Sequence, residues 1–525
     1  MGWLGKGIRM ASVTDQSIDR RRFLELAVGT AGVALTGCGD GPKASTNVPS
    51  EDDPRQPPNV LFVFVDQLRA NVCSVYGGRN ITTPNIDRLA SEGVVFTNSV
   101  SACPLCTPYR GMLQTGRYPT HSGVIVNFVE ASPVQNPHCL ANVFAAAGYE
   151  TGYIGKWHLS AGAHMSTPVD ADRPACSLPE NPDPDFIPPG PRRLGYKHWQ
   201  AYNFHYDYNN YWYYEDEPQK LYSDRYEADT ETDQAITFME KCRQSGRPFL
   251  VNVAPHPPHP PFDADLTPEG YLERVPQSLW RPPNVPADDP CTDDERRCYL
   301  AMIQNADDNL GRLLDYLESS GLAGNTIVVF TSDHGEMLGS QGRVQKMVPY
   351  AEAIDVPLIM RWPGQIPPGV RVEALQTPMD HFPTLCGLAA LPIPDEVDGV
   401  DLSGVVTGVS SDDRGAILIG HYSSSELFLM AGSIWPEWRG VRTKQYTYVH
   451  WLAGEEELYD NLADPYQMNN LAGNGAEPEA LVSLRAQLTE LLAVAHDDFG
   501  SGADFSDWFD DCRNLVRTAL GPVPG

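Results

Sequence analysis

The sequence predicts an α/β fold in which a large mixed, mostly parallel sheet is sandwiched by helices, with a smaller C-terminal antiparallel sheet plus helix. Residues 59–65 and 326–331 are continuous apolar segments, as expected of strands buried on both faces of a parallel sheet. Strand and helix patterns alternate from residue 58 to about residue 400, and short paired strand patterns follow. We therefore predict an α/β domain at 58–400 and a C-terminal subdomain at 401–525.

Length and charge limit the classes of partner. At 525 residues the chain is long enough for two or more domains, and its 42% apolar content allows a large core. The net charge of −30 at pH 7 disfavours binding to nucleic acid and electrostatic adhesion to an anionic membrane. It also makes a long polyanion a poor substrate unless the cleft is locally basic.

Residues 1–37 are typical of an export signal and are excluded from the fold. Within them, Asp19-Arg20-Arg21-Arg22-Phe23-Leu24 resembles the twin-arginine export motif, and Leu35-Thr36-Gly37-Cys38 resembles the lipobox of bacterial lipoproteins. We therefore predict twin-arginine export and a lipid anchor on Cys38 at the periplasmic or extracytoplasmic face of the membrane. Residues 38–57 are rich in Pro, Ser and Asp and are predicted to be a tether. An uncleaved anchor and a simple cleaved signal remain alternatives.

Polar side chains follow the two apolar strands where each strand ends. Asp66-Gln67 comes after the first strand, and Asp333-His334 comes after the second. Open α/β sheets place their sites at the carboxyl ends of strands, so these four side chains are candidate metal ligands. Carboxylate and amide oxygens suit Ca²⁺, and the imidazole nitrogen admits Mn²⁺ or another divalent ion as the alternative. Taken singly, each Asp is also typical of a helix N-cap or a turn. The alternative for His334 is a contact with one of the metal ligands rather than with the metal itself.

The most specific pattern in the chain is Cys106-Thr107-Pro108-Tyr109-Arg110-Gly111-Met112-Leu113-Gln114-Thr115-Gly116-Arg117. Pro108 suits the first turn of a helix, which leaves Cys106 at the helix N-terminus, where backbone donors favour an anion such as sulfate or phosphate. The segment resembles the signature of the type I sulfatases, a formylglycine-dependent family of the alkaline-phosphatase-like superfamily. The spacing of Cys103 and Cys106 leaves a redox motif or a structural disulfide as the alternative.

Three further segments extend this resemblance. Gly155-Lys156-Trp157-His158-Leu159 matches the family's G-K-W-H-L segment, whose Lys and His contact the sulfate and the hydrated aldehyde. Lys346 follows Asp333 at the spacing at which the family places a Lys on the ester. The loop Pro255-His256-Pro257-Pro258-His259-Pro260-Pro261-Phe262 resembles the family's P-H-x-P-[FY] loop. His259 fits its catalytic histidine best, His256 is the alternative, and a proline-stiffened surface loop is a second alternative.

The resemblance implies a sulfuric ester hydrolase that cleaves a sulfate monoester to an alcohol and sulfate. A formylglycine-generating enzyme would oxidise Cys106, and the hydrated aldehyde, a geminal diol, would attack sulfur beside a divalent metal. Basic side chains would stabilise charge on the ester oxygens, one histidine would protonate the leaving alcohol, and another would deprotonate the second diol hydroxyl. The resemblance assigns the stabilisation of charge to Arg110, Lys156 and Lys346. It assigns protonation of the alcohol to His259 and deprotonation of the second diol hydroxyl to His158.

Two other functions remain open. The combination of Asp66-Gln67 with Asp333-His334 resembles choline-sulfatase-type and phosphonate-monoester-hydrolase-type members, so a phosphonate monoester hydrolase or phosphodiesterase is the alternative. A catalytically dead lipoprotein that binds sulfated glycans would require a lost nucleophile or metal set, and none is lost here.

Residues 170–220 interrupt the strand and helix pattern with prolines and then with many aromatic side chains. The aromatic and histidine side chains in question are Tyr202, His205, Tyr206, Tyr208, Tyr211, Trp212 and Tyr213. An insertion of this kind either stacks on a sugar or aryl ring or packs on the domain as a surface lid, which makes a carbohydrate one candidate substrate. Cys291 and Cys298 are candidate disulfide partners.

Overall fold

Strands and helices alternate along the described part of the chain, which is residues 56–161, 183, 185–422, 436–473, 478–510 and 514–524 of a computed structural model. The strands are β1 Asn59–Val65, β2 Val94–Ser99, β3 Glu150–Lys156, β4 His198–Tyr202, β5 Trp212–Tyr213, β6 Leu221–Tyr222, β7 Phe249–Ala254, β8 Thr326–Ser332, β9 Leu358–Arg361, β10 Val370–Gln376, β11 Ile417–His421, β12 Trp438–Arg442, β13 Tyr446–Trp451, β14 Glu456–Asp460, β15 Arg517–Thr518 and β16 Gly521–Pro522.

The α-helices are α1 Pro84–Ser91, α2 Cys106–Thr115, α3 Pro119–Ser122, α4 Leu140–Ala146, α5 Glu227–Ser245, α6 Asp293–Ser319, α7 Ala351–Ile354, α8 His381–Leu388, α9 Ser403–Val406 and α10 Glu479–Val494. Short 3₁₀ helices lie at Ala70–Val72, Ser74–Tyr76, Pro191–Arg193, Ala264–Leu266, Leu272–Arg274, Ala323–Asn325, Ser340–Gly342, Pro378–Asp380 and Gly502–Trp508. The long helix α6 begins at a capping box, in which Thr292 and Glu295 each bind the other's backbone N–H.

The central sheet has eight strands in the order β10-β2-β9-β8-β1-β7-β3-β4. Strand β1 is parallel to both β7 and β8, and β3 is parallel to both β4 and β7. Only β9 runs against its two neighbours among the paired strands of this sheet. The predicted large, mixed, mostly parallel sheet is therefore confirmed.

Both faces of the central sheet are covered, as the continuous apolar strands predict. Along β1, Val60, Phe62 and Phe64 belong to the core on one face of the sheet. Leu61 and Val63 alternate with them and belong to the core on the other face. Successive side chains of a strand point to opposite faces, so a strand between two helical layers needs apolar residues at every position.

A second, four-stranded antiparallel sheet has the order β11-β12-β13-β14, and α10 packs on it through Leu481, Leu484 and Leu488. This confirms the predicted smaller C-terminal sheet with a helix. The backbone N–H of Gly420 donates to the carbonyl of Ala102 at 2.9 Å, which joins this sheet to the segment before α2. Residues 56–525 form one compact unit, and the division at residue 400 stays a prediction.

The signal segment, Cys38 and the tether lie outside the described residues. Among the helices that the structure describes, none is long and apolar enough to cross a membrane. The cysteines of the described residues are free thiols, including Cys103, Cys106, Cys291 and Cys298. Neither a Cys103–Cys106 disulfide nor a Cys291–Cys298 disulfide is present.

Candidate active site

Four adjacent parallel strands, β8, β1, β7 and β3, deliver the candidate residues to one edge of the central sheet. Asp66 follows β1 directly, Asp333 follows β8, the two-histidine loop follows β7, and Lys156 ends β3. The carboxyl ends of parallel strands lie on the same edge, and ligands of open α/β sheets bind there. The strand order thus explains why residues far apart in the chain converge.

Four of the predicted residues form a buried cluster of metal-ligand type. One ligand atom from each of Asp66, Cys106, Asp333 and His334 lies within 4.8 Å of the others. The Cys106 sulfur is 3.2 Å from Nε2 of His334 and 3.8 Å from Oδ1 of Asp66. Here the thiol sulfur marks the place of the diol oxygens that formylglycine would carry.

The pKa values of the two carboxyl groups of the cluster are shifted in opposite directions. Burial alone would raise the pKa of Asp66, but Lys156, His259, His334 and Arg110 hold it well below its usual value. Burial and the negative charge of Asp66 raise the pKa of Asp333 to about 7. A buried pair of carboxylates with one shifted partner fits a divalent cation, because a cation between them removes the repulsion.

His334 presents a free lone pair to the cluster. Its Nδ1 lies 3.1 Å from the carbonyl oxygen of Gly335, and a carbonyl only accepts, so Nδ1 carries the proton. Nε2 therefore has the lone pair, and it faces Asp333 Oδ1 at 3.6 Å and Asp66 Oδ1 at 3.8 Å. Metal-binding histidines are commonly oriented in this way by a carbonyl behind the ring. The arrangement favours direct binding of the metal by His334 over a contact of His334 with another ligand.

Gln67 is held in an unusual conformation at the edge of the cluster. Its φ of 71° is in the left-handed region, which is strained for a residue with a Cβ. Its backbone N–H donates to Oδ1 of Asp333 at 3.0 Å, and its side-chain amide donates to a carboxylate oxygen of Glu336. Its side-chain oxygen accepts from Lys346. Sequence patterns alone assign no role to Glu336, because its partner Gln67 lies 269 residues away along the chain.

Cys106 is the first residue of α2, as the proline two positions later predicts. The helix is buried along its whole length, and its start is tied to neighbouring loops. The backbone N–H of Thr107 donates to the side-chain oxygen of Asn127 at 2.9 Å, and the Thr107 hydroxyl donates to the carbonyl of His158 at 2.7 Å. Asn127 is a contact that the motif alone does not indicate.

Two cations from α2 and β3 neutralise the carboxylates. Arg110 lies one turn after Cys106 and donates to Asp66 at 3.1 Å and to Asp333 at 3.3 Å. The ammonium of Lys156 donates to Asp66 at 2.6 Å and lies 4.8 Å from the ring centre of Phe204. Both cations are almost wholly buried, so solvent ions screen their attraction for an anion beside Cys106 only weakly.

The histidine loop after β7 brings His259 against Lys346. Nδ1 of His259 lies 2.7 Å from the carbonyl oxygen of Pro260, so Nδ1 carries a proton, and Nε2 accepts from the Lys346 ammonium at 2.9 Å. Burial and Lys346 lower the pKa of His259 well below its usual value. His256 is also buried, and neither of its ring nitrogens has a hydrogen-bond partner among the described residues.

His158 is the remaining predicted residue, and its backbone has a φ of 51°. Its ring is buried next to Phe204, with ring centres 4.7 Å apart, and its two nitrogens have no hydrogen-bond partner among the described residues. Burial, Lys156 and Arg110 lower its pKa well below the usual value, so the ring is neutral. A buried, unpartnered imidazole is costly unless a ligand completes it.

The structure therefore brings together all ten residues predicted for the site. Cys106 stands at a helix N-terminus, and three buried cations and the neutral rings of His158 and His259 lie in the same site. This arrangement suits an in-line attack on a tetrahedral, negatively charged ester, with charge developing on oxygens near Arg110, Lys156 and Lys346. A buried group of carboxylate, imidazole and amide donors fits one divalent ion at the same point.

This fold and this site are those of a formylglycine-dependent hydrolase. A family model described as sulfatase matches residues 58–391, and one described as N-sulphoglucosamine sulphohydrolase, C-terminal, matches residues 339–494. The chain belongs to the sulfatase family and is a hydrolase of sulfate esters. The family uses a divalent metal and a formylglycine, and the buried cluster around Cys106 provides a place for both.

Individual relatives agree with this assignment. The chain is 36% identical over 476 residues to an ulvan-active sulfatase of Formosa agariphila, covering 89% of this chain and 86% of that protein. It is 31% identical over 455 residues to an endo-4-O-sulfatase of Bacteroides thetaiotaomicron, covering 79% and 88%. The crystal structure of a putative sulfatase, yidJ, from Bacteroides fragilis superposes with a TM-score of 0.73 at 30% identity, covering 86% and 99%.

A phosphonate monoester hydrolase from Silicibacter pomeroyi has a TM-score of 0.65 at 23% identity and covers 84% of this chain and 96% of that chain. At that identity the likeness shows a common fold alone. The phosphonate alternative is therefore weaker than sulfate ester hydrolysis.

Proposed function

We propose that this sulfatase removes sulfate from a carbohydrate ester, with formylglycine at position 106 as the nucleophile and Ca²⁺ as the metal. The observation that carries the proposal is the position of Cys106, at the start of α2, beside two carboxylates and a metal-type imidazole. A diol that attacks an anionic ester needs both a metal and cations, and the side chains around Cys106 supply metal-type ligands and buried cations.

Asp66, Gln67, Asp333 and His334 would hold the ion. It would supply positive charge to the ester and to the diol hydroxyl, and so lower the barrier to attack. Gln67 would turn its oxygen from Lys346 to the ion, which frees the Lys346 ammonium for the substrate. The predominance of oxygen donors favours Ca²⁺, with Mn²⁺ as the alternative that one imidazole permits.

The chain's own residues account for the other parts of the reaction. Arg110 and Lys156 bind and orient the sulfate oxygens, and Lys346 does so from the opposite loop. His259 would first take up a proton at Nε2, which carries none in this structure, when the negative ester binds. It would then donate that proton to the departing alcohol, while the Pro260 carbonyl fixes the ring through Nδ1. The negative charge of a bound ester offsets the effect of Lys346 and stabilises the protonated ring. His158 accepts the proton of the second diol hydroxyl. The loss of this proton re-forms the aldehyde C=O bond and breaks the C–O bond to the sulfate group, which leaves as sulfate.

The carbohydrate assignment is supported by the names of the relatives. They include the ulvan-active sulfatase, the endo-4-O-sulfatase and an N-acetylglucosamine-6-O-sulfatase of Bacteroides thetaiotaomicron that is 26% identical over 514 residues. The experiment is a comparison of kcat/KM on saccharide sulfates, an aryl sulfate, a phosphate diester and a phosphonate ester, with protein co-expressed with a formylglycine-generating enzyme. Higher kcat/KM on the phosphonate than on every sulfate would contradict the proposal.

The two loop histidines are expected to separate by the leaving group. His259→Ala should reduce kcat/KM on saccharide sulfates by about 10²–10⁴-fold and on an activated aryl sulfate far less, because a good leaving group departs without a proton. The measurement is a plot of log kcat/KM against the pKa of the leaving alcohol. His256→Ala is the matched control, and it should show no such slope. A steep slope for His256→Ala and a flat one for His259→Ala would reverse the assignment.

The targeting of the protein is a separate proposal. We propose export by the twin-arginine route and lipidation of Cys38, on the motifs around Arg20-Arg21 and Leu35–Cys38. Replacing Arg20 and Arg21 together with Lys should keep the enzyme in the cytoplasm. Cys38→Ser should release it from the membrane fraction with its kcat/KM unchanged, since Cys38 precedes the catalytic unit. A Cys38→Ser protein that still sediments with membranes would contradict the lipid anchor.

A further inference from the structure

The aromatic insertion divides into buried and exposed side chains. Tyr202, Tyr208 and Tyr211 are completely buried, and they pack under the site as part of the protein interior. Tyr206 is 45% exposed, one of three exposed aromatic side chains among the described residues, with Tyr222 and Trp280. Among these exposed side chains, Tyr206 is the one whose ring stacks on the loop that carries His256 and His259.

Tyr206 covers the two histidines that follow β7. Its ring centre is 5.9 Å from that of His259 with an interplanar angle of 27°, and 5.9 Å from that of His256 with an angle of 21°. The ring of Phe204, beside Lys156, meets Tyr206 edge-on at 4.9 Å. Tyr206 therefore borders the site while it keeps a large part of its ring open to solvent.

The segment that carries Tyr206 is held in place on both sides. The Tyr208 hydroxyl donates to the carbonyl of His259 at 2.8 Å, and the backbone N–H of Glu227 donates to the Tyr208 carbonyl at 2.8 Å. The Trp212 indole N–H donates to Asp207 at 3.1 Å. A ring presented by a fixed segment loses little conformational entropy when a ligand packs on it.

The reaction gives the direction in which the substrate extends. The sulfate must lie beside Cys106 and the cations, and the leaving oxygen must lie beside the acid, His259. The alcohol part then continues past His259, on the side where Tyr206 stacks. Aromatic side chains offer an apolar face to the C–H face of a sugar ring together with a hydroxyl that can hydrogen-bond.

We propose that Tyr206 determines substrate specificity by receiving the sugar ring of the sulfate ester on its exposed ring surface. This inference rests on the proposed saccharide substrate and names the residue that recognises it. Tyr206 acts on binding of the alcohol part, whereas Arg110, Lys156 and Lys346 bind the sulfate part.

The test compares Tyr206→Ala, Tyr206→Phe and the matched control Tyr222→Ala, an exposed tyrosine on β6, two residues after the end of the insertion. Steady-state kinetics use the saccharide sulfate with the highest kcat/KM, and inorganic sulfate serves as a competitive inhibitor that has no ring. Tyr206→Ala should raise KM about tenfold, while Tyr206→Phe and Tyr222→Ala should stay within about twofold. The Ki of inorganic sulfate should be the same in all four proteins.

Two results would overturn the inference while leaving the saccharide substrate intact. One is an unchanged KM in Tyr206→Ala. The other is a rise in the Ki of inorganic sulfate that matches the rise in KM, because this would mean that the variant disturbs the histidine loop in general. A parent enzyme that hydrolyses aryl sulfate but no saccharide sulfate would instead contradict the proposed substrate, and the inference with it.

Discussion

Cys106→Ala is expected to reduce turnover by about 10⁴-fold or more. Alanine cannot be converted to formylglycine, and no neighbouring hydroxyl takes the position of the diol. In the active parent protein, peptide mass spectrometry should find residue 106 about 18 Da lighter than cysteine, since oxygen replaces SH₂. Fully active protein that carries only unmodified Cys106 would contradict the formylglycine mechanism.

Cys103→Ala is the matched control for that experiment. Cys103 is buried three positions before Cys106, and burial raises the pKa of its thiol to about 12, so it remains a protonated, unreactive thiol at neutral pH. We expect the variant to keep its activity and its formylglycine. A loss of turnover in Cys103→Ala equal to that in Cys106→Ala would instead favour a function for the Cys103-x-x-Cys106 pair.

Removal of the metal is expected to lower kcat/KM by about a thousandfold, because the ion contributes several kcal/mol to a step of this kind. Exhaustive chelation should remove activity, and Ca²⁺ should restore it. Asp66→Ala and Asp333→Asn should abolish Ca²⁺ binding in isothermal titration calorimetry. Asp307→Asn is the matched control, since Asp307 is equally buried but accepts from the backbone amides of Asn85 and Ile86. A chelated enzyme that keeps full activity would contradict a metal-dependent reaction.

The stability of the ion-free protein provides a second readout of the same cluster. Burial and Asp66 raise the pKa of Asp333 from 3.8 to about 7, so the folded state binds this proton more tightly than the unfolded chain does. Its contribution to the free energy of unfolding is fully present below pH 4 and is lost as the pH rises through 7. The melting temperature of chelated protein should therefore fall between pH 4 and 7 more steeply than that of chelated Asp333→Asn. Equal slopes would mean that Asp333 is not shifted.

Local patterns in the sequence were sufficient for the fold class and for most of the site. The strand Asn59–Val65 is apolar at every position because both of its faces are buried, and that requirement is visible without coordinates. Asp66 and Asp333 come at strand ends, where a parallel sheet exposes its carboxyl edge. Cys106 starts a helix because Pro108 and the residues after it suit the first turn. Each of these features depends on residues that are close neighbours in the chain.

Other features depend on contacts between distant segments, and only the tertiary structure decides them. Glu336 and Lys346, which are 269 and 279 residues from Gln67 along the chain, hold the two ends of its side-chain amide. The stretch from 202 to 213 is rich in aromatic side chains, so its composition does not distinguish the buried Tyr208 from the exposed Tyr206. A side chain's direction and hydrogen-bond partners are determined by what packs against it, and in this protein those partners lie in loops that follow other strands of the sheet.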